Sequence, residues 1–174
     1  MPKAFSAQML NAFQQVDALD GQLQNADAIK EILKRIKKPS GIKITLYAVV
    51  PDARHMAVAP STNRLFVGAR TTSVGAVTNR NSGDAETEVK QFASPLKVTQ
   101  PNSVCWTKDG FLVVAEHNRA LNFPATEFFY DGLYVALMEV VPQGKLIPVE
   151  DESYNHGARL FRLGNDGQRY ISLG

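Results

Sequence analysis

The apolar residues of this chain change their spacing part-way along the sequence. Between residues 27 and 38 they recur every three or four positions and form one stripe, as on an amphipathic helix. A weaker helical pattern precedes this stripe at residues 9–23, and Pro39-Ser40-Gly41 ends it. We therefore predict helices within residues 7–38 and an N-terminal helical segment at residues 1–40.

From Ile42 onward, apolar residues alternate with polar ones, which is typical of β-strands with one buried face. The alternation predicts an extended strand over residues 42–50. Three strand–turn–strand patterns follow, at residues 56–68, 103–115 and 158–172. The second and third of them reverse at an Asp-Gly pair, the strongest short-range signal for a β-hairpin.

The three predicted hairpins repeat one design at a nearly regular spacing. Their second strands align at Leu65, Leu112 and Tyr170, so the steps are 47 residues (65 to 112) and 58 residues (112 to 170). Blades of a β-propeller repeat at roughly 40–50 residues and carry insertions in loops on one face. The spacing therefore predicts propeller blades, with an insertion before the third hairpin and a polar turn at residues 80–86. A β-sandwich is the alternative fold.

The number of predicted blades is too small for a closed ring. Residues 41–174 supply about two blades and the inner half of a third, whereas propellers close with about four to eight. We therefore predict a mostly β chain in which residues 41–174 form an incomplete propeller domain, as the front part of a larger protein. Open sheet faces and unpaired strand edges favour self-association.

Composition and charge narrow the range of functions. The 174 residues are 44% hydrophobic and 21% charged, which is ordinary for a globular protein. A net charge of +2 is too small to indicate binding to nucleic acid or to an anionic membrane surface. No apolar stretch approaches the ~20 residues that span a bilayer, and the N-terminus lacks the apolar core of a secretory signal. The sequence therefore predicts a cytoplasmic product without a membrane span.

Several cofactor and metal sites find no support in the residues. Cys105 is the single cysteine, which excludes an internal disulfide and a cysteine-rich zinc site, and its strand pattern predicts a buried apolar role. Glu150-Asp151-Glu152 lacks the alternate spacing of a calcium loop and is predicted to be a solvated turn. The sequence has no Gly-x-Gly-x-x-Gly or phosphate loop, so a nicotinamide cofactor is not indicated.

The three histidines have different predicted roles. His156, preceded by Asn155, opens the first strand of the third hairpin, where a polar side chain would face the central channel of a propeller. His55 and His117 stand at strand ends and are predicted to be structural or exposed polar residues. Glu116 and Arg119 flank His117, and the three are candidates for a hydrogen-bonded cluster at a strand end.

Asn155-His156-Gly157-Ala158-Arg159, followed by the Asp166-Gly167 turn, is the most specific motif of the chain. It follows, in order, stretches at residues 42–48, 53–58, 65–68, 101–104 and 114–119, and it precedes residues 170–174. Taken together, these stretches resemble the glucose/sorbosone dehydrogenase family, in its sorbosone-dehydrogenase-like branch. The resemblance covers residues from about 27 to 174.

Members of this family are quinoproteins with a six-bladed propeller that oxidise sugars or sugar aldehydes with pyrroloquinoline quinone (PQQ) and calcium. The resemblance implies that His156 is the general base, since an imidazole accepts a proton from the anomeric hydroxyl near neutral pH. It places Asn155 at a substrate-binding position where relatives often have an acid. Asn102 and Arg54, which precede the inner strands of the second and first blades, are candidates for the same channel mouth.

The family holds the carboxylates of PQQ and the calcium ion with residues of later blades, which do not occur in this sequence. The resemblance therefore implies a chain that carries the base, lacks most of the cofactor site and is inactive alone. Family members are typically periplasmic, in contrast to the cytoplasmic product that the N-terminus predicts.

Two other functions stay open. A non-catalytic, propeller-like binding module needs only an exposed surface. A lactone hydrolase of related propeller type would hold a metal with several acids that face the channel, and Glu116 is the one candidate for such an acid.

Overall fold

The computed structural model describes residues 26–61, 63–79, 87–93, 96–124, 126–130, 135–153 and 155–173. The predicted helical pattern at residues 9–23 and the predicted turn at residues 80–86 lie outside these residues. The chain divides into two units, Met1–Val49 and Val50–Gly174.

In the first unit, residues 26–34 are helical and form α1. Lys30 Nζ lies 3.1 Å from Asp27 Oδ1, and Lys34 Nζ lies 2.5 Å from Glu31 Oε1, so ion pairs three residues apart follow its surface. The predicted helix is confirmed in this stretch, but it ends at residue 34 rather than 38. Of its apolar stripe, Ile32 and Ile36 are exposed, whereas Ile29 and Leu33 are half-buried.

The predicted strand at residues 42–50 is wrong, because none of these residues takes part in a β-ladder. Ile42 N donates to Pro39 O at 3.3 Å, within a turn, and the Ile42 and Ile44 side chains are exposed. Alternation of side chains makes a strand only where a neighbouring strand pairs with the backbone N–H and C=O groups.

The second unit is mostly β, in antiparallel sheets, which confirms the predicted class at that level. Its strands are β1 Ala53–Val58, β2 Arg64–Ala69, β3 Val74–Thr78, β4 Glu88–Phe92, β5 Ser103–Trp106, β6 Leu112–Ala115, β7 Ala120–Phe123, β8 Met138–Val141, β9 Arg159–Leu163 and β10 Arg169–Leu173. Sheet A has the order β1-β2-β3-β4, sheet B has the order β5-β6-β7-β8, and β9 and β10 form hairpin C. None of these sheets closes into a barrel within the described residues. A short helix α2, Thr126–Phe129, and a 3-10 turn, Val149–Asp151, lie in the connections.

All three predicted hairpins are present, as β1–β2, β5–β6 and β9–β10. The last two share one turn geometry, since Thr107 N donates to Phe111 O at 2.9 Å and Gly164 N donates to Gln168 O at 2.8 Å. Each residue of hairpin C therefore has an equivalent in the first hairpin of sheet B. The offset is 57 positions, from 107 to 164.

The Asp-Gly pairs are explained by the backbone of these turns. Gly110 and Gly167 have φ angles of +81° and +80°, a conformation that glycine adopts without steric cost. The turns fix the register of the strands, so that Trp106 pairs with Leu112 in sheet B and Leu163 pairs with Arg169 in hairpin C.

The first strands of the three hairpins are neighbours, because β5 contacts both β1 and β9. One core cluster joins sheets A and B and includes Phe66, whose ring meets the ring of Trp106 edge-on at 5.5 Å. A second cluster joins sheet B to hairpin C, where the fully buried Val113 packs against the fully buried Phe161. Cys105 packs against this second cluster and is half-buried, not fully buried as predicted.

Candidate functional site

Three segments meet at the edge of the sheets where β5 and β9 begin. Ser103 pairs with Ala115, so the start of β5 lies beside the end of β6, as antiparallel strands require. Residues 99–102 lead into β5, residues 116–118 follow β6, and residues 155–158 lead into β9. We call these three segments together the entry edge.

Residues 99–102 hold the entry edge to sheet A. Ala69 N donates to Pro101 O at 3.0 Å, and His55 N donates to Asn102 O at 3.2 Å. Gln100 N donates to Thr71 O at 2.9 Å. The segment is thus tied to β1 and to the end of β2 through backbone hydrogen bonds, which places it between sheet A and the rest of the site.

His117 ties the turn after β6 to the same segment. Its backbone N donates to Thr99 O at 3.0 Å, and its Nδ1 lies 2.9 Å from Gln100 Oε1. Because an amide oxygen only accepts, this contact is a hydrogen bond in the His117 tautomer that carries its proton on Nδ1. Both side chains are buried, with His117 at 7% exposure.

Gly157 passes directly over this pair. A Cβ at position 157 would lie 2.1 Å from Gln100 Oε1 and 2.4 Å from His117 Nδ1, closer than any normal contact. Only glycine fits between the turn that carries His156 and the buried pair.

Arg159 fastens the turn that carries His156. Its Nε donates to His117 O at 3.0 Å, and its Nη1 donates to His156 O at 2.7 Å and to Ala158 O at 3.2 Å. The side chain is buried, and burial lowers the pKa of the guanidinium while Glu152 raises it. A buried guanidinium that bonds backbone carbonyls of two segments fixes their separation.

The structure places the four predicted site residues in different surroundings. His156 and Asn155 are exposed in the turn before β9, and His156 N donates to Ser153 O at 3.2 Å. Arg54 is exposed on β1. Asn102 is buried, and its Nδ2 donates to Gln100 O at 3.3 Å and to Gly157 O at 3.2 Å. Asn102 therefore bonds the backbone next to His156, at Gly157, and the backbone of its own segment, at Gln100.

Glu116 is fully buried beside the entry edge. Its Oε2 accepts from Thr99 N at 2.8 Å, and its Oε1 accepts from Nε and Nη2 of Arg119 at 3.0 and 2.7 Å. Burial raises the pKa of this carboxyl, and the hydrogen bond from Thr99 and the charge of Arg119 oppose that rise. The acid considered for a lactone hydrolase is thus engaged within the protein and does not face a channel.

His55 and His117, for which we predict structural or exposed polar roles, each contact another residue through Nδ1. His55 Nδ1 lies 2.9 Å from Val104 O and thereby joins β1 to β5. Ser103, which is fully buried, accepts from Phe161 N at 3.0 Å through its Oγ and joins β5 to β9. Side chains of the inner strands therefore connect the three hairpins in series.

The described residues contain no group of three or more His, Cys, Asp or Glu side chains that is able to hold a metal ion. Glu150, Asp151 and Glu152 are exposed, and Glu152 Oε1 accepts a hydrogen bond from Asn118 Nδ2. An open depression of about 230 Å³ lies at the other end of the strands, beside the turns of the second and third hairpins. Its lining consists of Thr107, Lys108, Asp109, Leu163, Gly167 and Arg169.

Sequence reasoning missed the residues that organise this site. Gln100, Ser103 and Arg159 contact partners 17 to 58 residues away in the chain (His117, Phe161 and His117, in that order), and no short motif encodes such contacts. One local signal was available, because the glycine directly after His156 permits a close approach of another chain segment.

Among the described residues, none of the helices has the length and apolar character needed to cross a bilayer. Comparison of the chain with family models, with curated proteins and with solved structures gave no match.

Proposed function

We propose that sheets A and B and hairpin C are propeller blades, and that the chain is part of a quinoprotein sugar or aldehyde dehydrogenase of the glucose/sorbosone type. In this proposal His156 is the general base. The observation that carries it is the position of His156, exposed in the turn that opens β9 and fastened there by Arg159.

The arrangement of the strands supports the propeller proposal. Sheets A and B are four-stranded with sequential order, as blades are, and the first strand of sheet B contacts the first strands of sheet A and hairpin C. Successive blades of a propeller pack face to face, and the two core clusters lie between A and B and between B and C.

The chemistry assigned to His156 requires an imidazole that reaches substrate. An exposed side chain on a backbone held by Arg159 and, through Gly157, by Asn102 meets this need. Such a base removes the proton of the hydroxyl group on the carbon that is oxidised. Fixing the backbone of the base limits the orientations of its ring, which favours proton transfer.

The described residues do not fit the implied cofactors. Calcium requires six to eight oxygen ligands, and the described part of the chain has no acidic cluster to supply them. Arg159, the basic residue beside His156, bonds backbone carbonyls rather than pointing to a ligand. We therefore propose that this chain alone does not hold PQQ or calcium and is inactive.

Two assays test the proposal. The purified chain, supplied with PQQ, calcium and aldoses or sorbosone, is expected to reduce no redox dye above background. Robust turnover would contradict the proposed inactivity.

The role of His156 is tested in a chimera. Residues 155–173 replace the corresponding hairpin of a working dehydrogenase of this family, and the chimera is expected to reduce dye. His156→Ala in the chimera should lower kcat by ~10²–10⁴-fold, the usual contribution of a general base. A matched Asn165→Ala chimera controls for changes in this hairpin, and absorbance of bound PQQ reports assembly. Equal activity of the His156→Ala chimera would refute the assignment.

A non-catalytic binding module is the second candidate. It is favoured by the buried side chains around His156, since Asn102, His117 and Arg159 all bond to other parts of the protein. A pull-down in which His156→Ala retains every bound partner would favour this candidate over the dehydrogenase.

A further inference from the structure

Gln100, in the middle of the entry edge, has a strained backbone. Its φ angle is +48°, in the left-handed region, where the Cβ of a side chain crowds the following carbonyl group. Within the described ranges, Asp52 and Ala93 are the other non-glycine residues with positive φ, and neither belongs to the entry edge. Strain of this kind persists only where the surrounding contacts fix the residue, and it clusters at functional sites.

Backbone hydrogen bonds on both sides of Gln100 fix this conformation. Gln100 N donates to Thr71 O at 2.9 Å, and Gln100 O accepts from Asn102 N at 2.7 Å. The residue is buried, with 3% exposure. The side chain of Gln100 therefore starts from a backbone that the neighbouring segments hold in place.

Gln100 is connected in two ways to the turn that carries His156. Its Oε1 lies 2.9 Å from His117 Nδ1 and beneath Gly157, where a Cβ would come within 2.1 Å of it. Its backbone O and Gly157 O both accept from Asn102 Nδ2, at 3.3 and 3.2 Å. The side chain thus limits how closely the turn approaches residues 99–102, and the shared amide limits how far the turn moves away from them.

We propose that Gln100 is a positioning residue for His156, which it holds at a fixed distance from residues 99–102. This inference rests on the proposed function of His156 as the general base. Glycine adopts a left-handed backbone without strain, so what glutamine adds at this position is its side chain, aimed between His117 and Gly157. Misplacement of a catalytic group by about 1 Å lowers a rate by as much as ~10²-fold, so a residue that never touches substrate affects the reaction through this contact.

NMR relaxation of the full chain tests the positioning without reference to the reaction. Gln100→Gly keeps the left-handed backbone and removes the side chain. The backbone order parameters of His156 and Gly157 should then fall from about 0.85, the value of a rigid backbone, to below about 0.6. If Gln100→Gly does not fold, Gln100→Asn takes its place, because asparagine tolerates this backbone and is one methylene shorter.

Ala93→Gly is the matched control. Ala93 is also buried and left-handed, with a φ of +50°, and it lies outside the entry edge. Its replacement should leave the order parameters of His156 and Gly157 as in wild type. Unchanged order parameters in Gln100→Gly, or an equal fall in Ala93→Gly, overturn the proposal.

A chimera tests whether this positioning serves the reaction. Residues 99–173 replace the corresponding residues of a working dehydrogenase of the glucose/sorbosone type, so that all segments of the entry edge are present. Gln100→Gly should lower kcat at least ~10-fold and keep KM within about twofold, because it changes the orientation of the base and not the binding of substrate. Equal kcat of the variant and the parent chimera overturns the proposal. If His156→Ala leaves the chimera active, the general base is refuted, whereas loss of order in Gln100→Gly still establishes Gln100 as the residue that holds this turn.

Discussion

At the scale of residues, the polar side chains of the entry edge hold the backbone in place through hydrogen bonds to its carbonyl groups. Asn102 and Arg159 donate to the carbonyls of Gly157 and His156, and His117 contacts Gln100 beneath them. Buried polar groups destabilise a fold unless they are hydrogen-bonded. Removal of one of these side chains therefore leaves the buried groups that it contacts without a partner and destabilises the fold. The exposed turn that carries His156 is consequently one of the more constrained parts of the surface.

Gly157→Ala tests how tightly this set is packed. The added Cβ must displace Gln100 or His117, so the free energy of unfolding should fall by about 1–3 kcal/mol, as in other overpacked sites. Denaturant titration measures the change. Asn155→Ala, at an exposed position of the same turn, is the control and should stay within about 0.5 kcal/mol of wild type. Equal stability of Gly157→Ala and the control would contradict the packing described here.

Glu116 makes stability depend on pH. Burial raises its pKa in the folded protein above its ordinary value of 4.5, so the folded state holds this proton at a pH where the unfolded state has released it. The resulting contribution is complete below pH 4.5 and is lost as pH rises through the higher folded pKa. In chemical unfolding from pH 4 upward, Glu116→Gln should lose less stability across this window than wild type. Parallel curves for the two proteins would refute the assignment.

At the scale of elements, local sequence predicted the hairpins and α1 but failed at residues 42–50. The Asp-Gly turns at Gly110 and Gly167 determine register through their own backbone conformation, so a few residues suffice to predict β5–β6 and β9–β10. Residues 42–50 have the same alternation but no partner strand, and pairing is not a local property. The candidate site follows this division: a motif of adjacent residues singles out His156, whose role stays a prediction, whereas nothing local indicates that Arg159 holds its turn.

The loop between β8 and β9 is held by one buried side chain. Asn118 Oδ1 accepts from Leu146 N at 2.9 Å and from Ile147 N at 2.8 Å, and its Nδ2 donates to Ile147 O at 3.1 Å. Asn118→Ala leaves these backbone groups without their partner, so stability should fall by about 1–3 kcal/mol. Amide hydrogen exchange should accelerate at residues 144–147 and stay unchanged in β6.

Glu152→Ala is the matched control for this loop, since it removes the exposed partner of Asn118 and keeps the three bonds to the backbone. Its effect on stability should be about 0.5 kcal/mol or less. If Asn118→Ala and Glu152→Ala exchange at the same rate in residues 144–147, Asn118 does not anchor the loop.

At the scale of the whole second unit, the sheets are joined by apolar clusters of unequal size. Among the residues that the structure describes, the cluster between A and B contains thirteen buried residues, including Phe66, Phe92 and Phe123, whereas the cluster between B and C contains three. Stability is expected to follow this difference, because regions with few buried apolar contacts open at lower free energy than the global transition. Hairpin C should therefore open before sheets A and B.

Phe161→Ala tests this order of opening. Phe161 is fully buried between sheet B and hairpin C, where its ring is the buried apolar side chain that hairpin C contributes, and its backbone N donates to Ser103 Oγ. Truncation of a buried phenylalanine lowers the free energy of unfolding by about 3–5 kcal/mol. We expect this loss to exceed the free energy that keeps hairpin C docked on sheet B, because so few buried residues form the junction. Amide exchange in β9 and β10 should then become fast while β2 and β6 keep their protection, and Phe161→Leu should retain most of the protection in β9. Uniform acceleration across all three sheets would instead mean that the unit opens as a single cooperative body, with hairpin C as firmly integrated as sheets A and B.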